Sequence, residues 1–137
     1  MSEMALNQLS VFVDNTPGAL SDITSVLASA GVNLRALSIA EAQDYGVLRM
    51  IVDKPDETLE LLREQGWVCR ANEVLAMTVP DEPGSLRKIL TVLADNDVNM
   101  VYTYAFLSGV EGKACIVLRV DDNAAAEKLL RNAGIEC

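Results

Sequence analysis

The sequence predicts an α+β fold made of two copies of one small unit, each in the order β-α-β-β-α-β. Three observations predict it. Residues 15–34 return in order at 81–100: Asn15-Thr16-Pro17-Gly18-Ala19-Leu20 reappears as Asp81-Glu82-Pro83-Gly84-Ser85-Leu86, and Val32-Asn33-Leu34 as Val98-Asn99-Met100, both at one offset. A period this long exceeds a solenoid unit and fits a duplicated small domain. In each copy two helical periodicities alternate with four short apolar segments, the pattern of an antiparallel sheet with helices on one face. Half the residues are hydrophobic, enough to build a packed core.

In the first copy, Leu6 to Val13 reads as a strand stopped by the turn signal Asp14-Asn15. Pro17-Gly18 opens a helix whose Leu20, Ile23, Thr24 and Leu27 share one face. Gly31 marks its end. Val32 to Ala42 reads as the second strand, and Asp44-Tyr45-Gly46 turns the chain into a third over 47–53. Lys54-Pro55-Asp56 starts a second helix with Leu59 and Leu62 inward and Glu57, Glu60 and Glu64 in water. Gly66 ends it, and Trp67 to Ala71 closes the copy.

The second copy repeats this plan. Val74 to Val79 is its first strand, and Leu86, Ile89, Leu90 and Leu93 reproduce the helix face. Val98 to Leu107, the turn from Gly109 to Gly112, Ala114 to Val120 and a helix over 123–132 follow. Leu62 and Gly66 now align with Leu130 and Gly134, so two residues have been inserted after the second strand. The chain stops at Cys137, which leaves room for only a very short last strand. Asn72-Glu73 is the junction, giving domains at 1–72 and 73–137 with no flexible linker between them. Ala114, Ile116, Leu118 and Val120 alternate with Cys115 and Val117, so that strand is apolar on both faces. A sheet with one face in water alternates more cleanly. The expectation is that another subunit covers part of the second face, making a homodimer or larger assembly.

Composition excludes several functions. Twenty acids against 11 bases give a net charge of −9 with no basic cluster, which disfavours nucleic acid and anionic membranes as partners. No apolar run reaches membrane-spanning length, and Met1-Ser2-Glu3 does not open a signal sequence, so a cytoplasmic location is expected. The absence of histidine removes the commonest general base and metal ligand together. The three cysteines, Cys69, Cys115 and Cys137, show no C-x-x-C spacing. Cys69 and Cys137 are equivalent in the repeat and read as small packing residues. No cofactor or metal is expected.

The repeated polar residues are the candidate site. The first amides of a helix lack intrahelical partners and sit at the positive end of its dipole. Gly18, Ala19 and Leu20 can therefore hold a carboxylate, with no side chain on Gly18 to obstruct it. Asn15 offers a carbonyl to an ammonium group, and Asp81 offers a carboxylate. Gly84, Ser85 and Leu86 repeat the amide cradle. Asn33 and Asn99 open the second strands and are expected at the same end of the sheet as the Pro-Gly loops. Amides for a carboxylate beside oxygens for an ammonium suit a free α-amino acid. Each feature also has an ordinary reading, since Asn, Asp and Thr cap helices and Pro favours their first turn. A duplicated cap would be copied just as a site would. Tyr102 and Tyr104 share one face of their strand, where the first copy has Ala36 and Ser38, and read as interface residues. Trp67 and Phe106 read as core.

These motifs resemble the ACT domain family: the β-α-β-β-α-β plan, the N-x-P-G-x-L loop and the G-V-N opening of the second strand. The resemblance spans nearly the whole chain as two copies. It implies ferredoxin-like units with strand order 4-1-3-2, sheets joined edge to edge through their second strands, and amino acids bound at the junction. Carried over residue by residue, one site combines Asn15, Gly18, Ala19 and Leu20 with Asn99 and Met100. The other combines Asp81, Gly84, Ser85 and Leu86 with Asn33 and Leu34. Serine-binding members carry a histidine two residues before the Asn, where this chain has Val13 and Val79, so serine specificity is not implied. The expected function is a non-enzymatic sensor that binds an amino acid and regulates a metabolic enzyme. The alternative is an assembly or regulatory subunit without its own ligand. A hydrolase of the acylphosphatase type would need an Arg-bearing phosphate loop, and these loops are uncharged or acidic.

Overall fold

A computed structural model describes residues 4–41 and 43–136. The expectations for Met1-Ser2-Glu3, Ala42 and Cys137 lie outside them. Contacts divide the chain into two units. One is Asn7–Asn72; the other runs from Glu73 onward and takes in the N-terminal residues as far as Leu6.

The unit Asn7–Asn72 contains most of β1 (Ala5–Asp14), then α1 (Ala19–Ser29), β2 (Leu34–Glu41), β3 (Tyr45–Val52), α2 (Pro55–Glu64) and the first residues of β4 (Val68–Pro80). Its strands lie in the order β2-β3-β1-β4. Side-chain alternation sorts the antiparallel pairs into two faces. On the helix side, Leu9, Val11 and Val13 oppose Met50, Leu48 and Gly46. With Ile23, Leu27, Leu62 and Cys69 they form the core. On the outer side, Ser10, Phe12 and Asp14 oppose Arg49, Val47 and Tyr45. Leu20 does not complete the expected helix face: it is 38% exposed, because it lies in the first turn, ahead of the helix's contact with the sheet. Glu57, Glu60 and Glu64 face solvent as the helical spacing predicts.

The other unit holds the rest of β4, then α3 (Ser85–Asp95), β5 (Met100–Leu107), β6 (Lys113–Val120) and α4 (Asn123–Asn132). Leu75, Met77 and Val79 oppose Leu118, Ile116 and Ala114 on the helix side. Ile89, Leu93, Ala126 and Leu130 cover them. Cys115, Val117 and Arg119 point outward, opposite Phe106, Tyr104 and Tyr102. Phe106 is thus half-buried on the outer face and not a core residue, contrary to expectation. The last strand is reduced to a bridge, in which the Thr78 amide donates to the Glu136 carbonyl at 2.9 Å. Further along the same side of β4, the Ala76 amide donates to the Met4 carbonyl at 2.8 Å, and Met4 lies fully buried in this unit's core.

The two strands expected to meet at Asn72-Glu73 are one continuous strand of 13 residues. Nothing in Arg70-Ala71-Asn72-Glu73 breaks an extended chain, and local partners hold it. The Ser10 hydroxyl donates to Asn72 Oδ1 at 2.7 Å, and Asn123 Nδ2 donates to the Glu73 carbonyl at 2.9 Å.

Candidate functional site

Both Pro-Gly loops are built alike. The Asn15 amide donates to the Asp44 carbonyl at 3.2 Å and the Asp81 amide to the Gly112 carbonyl at 2.9 Å, tying each loop to the neighbouring turn. Gly18 and Gly84 stand at the N-cap positions of α1 and α3 with φ of 87° and 92°. That left-handed conformation is open to glycine at little cost. A Cβ at either position would meet nothing within 4 Å, so the space above each backbone is empty. Neither helix has a side-chain cap, whereas Asp122 caps α4 by accepting from the Ala125 amide at 3.1 Å. The capping reading of Asn15 and Asp81 is therefore not what the loops adopt. The Ala19 amide turns back to the Thr16 carbonyl and the Asp22 amide starts the helix on Gly18. Among the described residues, the amides of Leu20 and Ser21 between them meet no acceptor. Leu86, like Leu20, is 38% exposed, so each loop sets an apolar side chain beside its helix N-terminus.

The second-strand residues lie elsewhere. Asn33 donates its amide to Asp53 Oδ1 at 2.9 Å and accepts from the Asp53 amide at 3.2 Å. Leu34 pairs with Val52 at the end of β3, while Asp14, next to the Pro-Gly loop, pairs with Tyr45 at its start. Asn33 is thus separated from Gly18 by the length of β3, roughly 23 Å at the rise of an extended strand. In the other unit Met100 pairs with Val120 and Pro80 with Lys113, which places Asn99 at the far end of β6 from Gly84. The expectation that the loop and the strand asparagine share one end of a sheet is therefore wrong. Antiparallel pairing through the intervening strand puts the start of the second strand opposite the end of the first. Within a unit the structure brings together Asn15, Gly18, Ala19 and Leu20, and likewise Asp81, Gly84, Ser85 and Leu86, and leaves out Asn33, Leu34, Asn99 and Met100.

Sequence reasoning also missed what lies beside the loops. A cavity of about 400 Å³ adjoins Gly84 and Ser85 and is lined by Glu82, Lys88, Lys113 and Glu136. Lys88 was legible as the residue one helical turn beyond Gly84; Lys113 reaches the place only through its pairing with Pro80. The corresponding cavity in the unit Asn7–Asn72, about 390 Å³, is lined by Phe12, Asp14, Tyr45 and Trp67. Trp67 packs partly on the core as predicted, yet its other side borders this space. Tyr102 and Tyr104 stack at 6.4 Å between ring centroids. Burial pushes the Cys69 thiol up to about 11, a rise that nearby Arg63 partly offsets. Among the described residues, no cluster of acids and cysteines fits a metal ion, and no helix is long and apolar enough to cross a membrane.

A family model described as an ACT domain pair matches residues 4–135. The chain belongs to the ACT domain pair family. Among solved structures, this ACT domain pair is similar to protein BT0572 from Bacteroides thetaiotaomicron, with a TM-score of 0.91 and 33% identity over 98% of this chain and 92% of that one. The regulatory subunit of aspartate kinase from Thermus thermophilus, in its ligand-free form, gives a TM-score of 0.65 at 16% identity, covering 93% of this chain and 91% of that one. Aspartate kinase from Clostridium acetobutylicum gives 0.54 at 20% identity, covering 93% of this chain and 32% of the kinase. At the identities of the two kinase proteins the likeness is one of fold. No curated protein matches.

Proposed function

We propose that this ACT domain pair is a sensor that binds a free amino acid and regulates a metabolic enzyme. The observation that carries the reading is the twice-built loop. Gly18 and Gly84 leave open space over uncapped helix N-termini, with an oxygen-bearing side chain three residues earlier and an exposed leucine two residues later. The ligand's carboxylate takes the free amides, its ammonium faces Asn15 or Asp81, and an apolar side chain lies on Leu20 or Leu86. Because a unit's own Asn33 or Asn99 is out of reach, each loop takes its strand asparagine from another unit, Asn99 for the Asn15 loop and Asn33 for the Asp81 loop. This reading includes a homodimer. β2 and β5 fit that role, since among the described residues each is hydrogen-bonded along one side only, to β3 and β6.

Gly18→Asp and Gly18→Asn form the test. Both side chains tolerate the left-handed conformation better than most, so backbone strain is similar and only the charge differs. Calorimetric titration with the common amino acids should show a ligand that the Asn variant still binds and the Asp variant does not. Equal affinity in the two variants would remove the carboxylate from this loop. Leu37 and Ile39, 48% and 44% exposed on the edge strand β2, favour the second reading of an assembly protein without a ligand. That reading expects no thermal shift with any amino acid, whereas a bound ligand raises the melting temperature by mass action.

A further inference from the structure

The cavity at the end of β1 in the unit Asn7–Asn72 has a chemistry that the Pro-Gly loop does not share. Phe12 and Asp14 project from the outer face of β1, and Tyr45 stands opposite Asp14 at the start of β3. The Phe12 and Tyr45 rings lie 5.8 Å apart, tilted at 54°, and are 46% and 47% exposed. Trp67 and Val68 close the cavity from the segment that follows α2, and Val68 is 65% exposed. Three of the chain's six aromatic side chains thus surround one space of about 390 Å³. That volume falls within the roughly 300–1,000 Å³ usual for small-molecule sites.

The fold does not require these side chains there. At the same backbone positions of the other unit stand Thr78 for Phe12, Pro80 for Asp14, Lys113 for Tyr45 and Ile135 for Trp67. The aromatic lining belongs to one copy alone, and packing common to both copies does not explain it. Among the described residues, Asp14 is the one charged side chain in that lining, and neither lysine nor arginine borders the space. Aromatic faces attract cations, and a carboxylate beside them adds a charged acceptor. A ligand carboxylate or phosphate would find no positive partner.

The geometry points to a binding site for a small primary amine with an aromatic or apolar body, its ammonium on Asp14 and its body between Phe12, Tyr45 and Trp67. The site is separate from the amino-acid loop and discriminates against zwitterions. Trp67 is the chain's single tryptophan, so its fluorescence reports occupancy directly. The full chain is titrated at neutral pH with 2-phenylethylamine, 3-phenylpropanoate and phenylalanine. The amine should give a saturable change in emission, with both carboxylate-bearing probes at least about tenfold weaker. Asp14→Asn should weaken the amine by about tenfold or more, because the charged acceptor is lost. Phe12→Ser should weaken it too, because one of the three aromatic faces is lost. No saturable response to the amine, phenylpropanoate or phenylalanine binding as tightly, or an Asp14→Asn variant of undiminished affinity would each overturn the proposal.

Discussion

Cys69 shows how a single side chain couples packing to pH. Its residue is 6% exposed in the core of its unit, and burial holds the thiol's pKa near 11, above the ordinary 9.0. The folded state therefore keeps a proton that the unfolded chain releases first. The contribution to stability is complete below about pH 9 and is lost as the pH rises toward 11. Denaturant melts of the parent and of Cys69→Ala between those limits should show stability falling more steeply with pH in the parent. Parallel slopes would mean that the thiol titrates alike in both states. The packing role was legible from the small, apolar character of the position. The pKa was not, because it depends on what tertiary folding places around the sulfur. Gly31 and Asp97 make the same point for the backbone. Both occupy the left-handed conformation after a helix, at φ of 70° and 57°. Only the glycine announces it in the sequence.

The helices divide into capped and uncapped ends, and the division follows what surrounds each end. Asp122 caps α4 through the Ala125 amide, so Asp122→Ala should cost about 1 kcal/mol. Asn15 and Asp81 read as caps in the sequence, yet α1 and α3 carry no side-chain cap. Asn15→Ala and Asp81→Ala should therefore change stability by less than about 0.5 kcal/mol. Urea melts of the three variants check the contrast, and a cap-sized loss at Asn15 or Asp81 would return those residues to a structural role. The strands show where sequence reading runs out. Apart from β4, which was read as two strands, the strands and helices between 5 and 132 were visible as apolar periodicity between Gly, Pro and Asn stops. Even the two-residue insertion appeared as a change of offset. What periodicity does not carry is which end of one strand faces which end of another. That is why Asn33 and Asn99 seemed to belong beside the Pro-Gly loops and instead lie a strand length away.

At the scale of the whole chain, the duplication is not a simple end-to-end copy. In the second copy the place of the last strand is held by a single bridge between Thr78 and Glu136. Met4 adds to that side of β4, since its carbonyl takes the Ala76 amide and its side chain is wholly buried in the same core as Leu75, Met77 and Leu118. A boundary drawn at Asn72-Glu73 from the repeat alone misses this. Met4 lies before the first repeated motif, so only the contacts reveal which unit it serves. The consequence is a local loss of stability at a distance in sequence. Met4→Ala removes a fully buried side chain and should cost about 2–5 kcal/mol. Because Met4 packs in the core of the unit from Glu73 onward, the loss should fall there. Hydrogen exchange in the full chain should show faster exchange at Leu75, Met77, Ile116 and Leu118. Val11, Leu48 and Met50, in the core of the unit Asn7–Asn72, should keep their protection. Uniform loss across both sets would mean that the two units unfold as one. Loss confined to the first set would make the N-terminus a working part of the second copy's core.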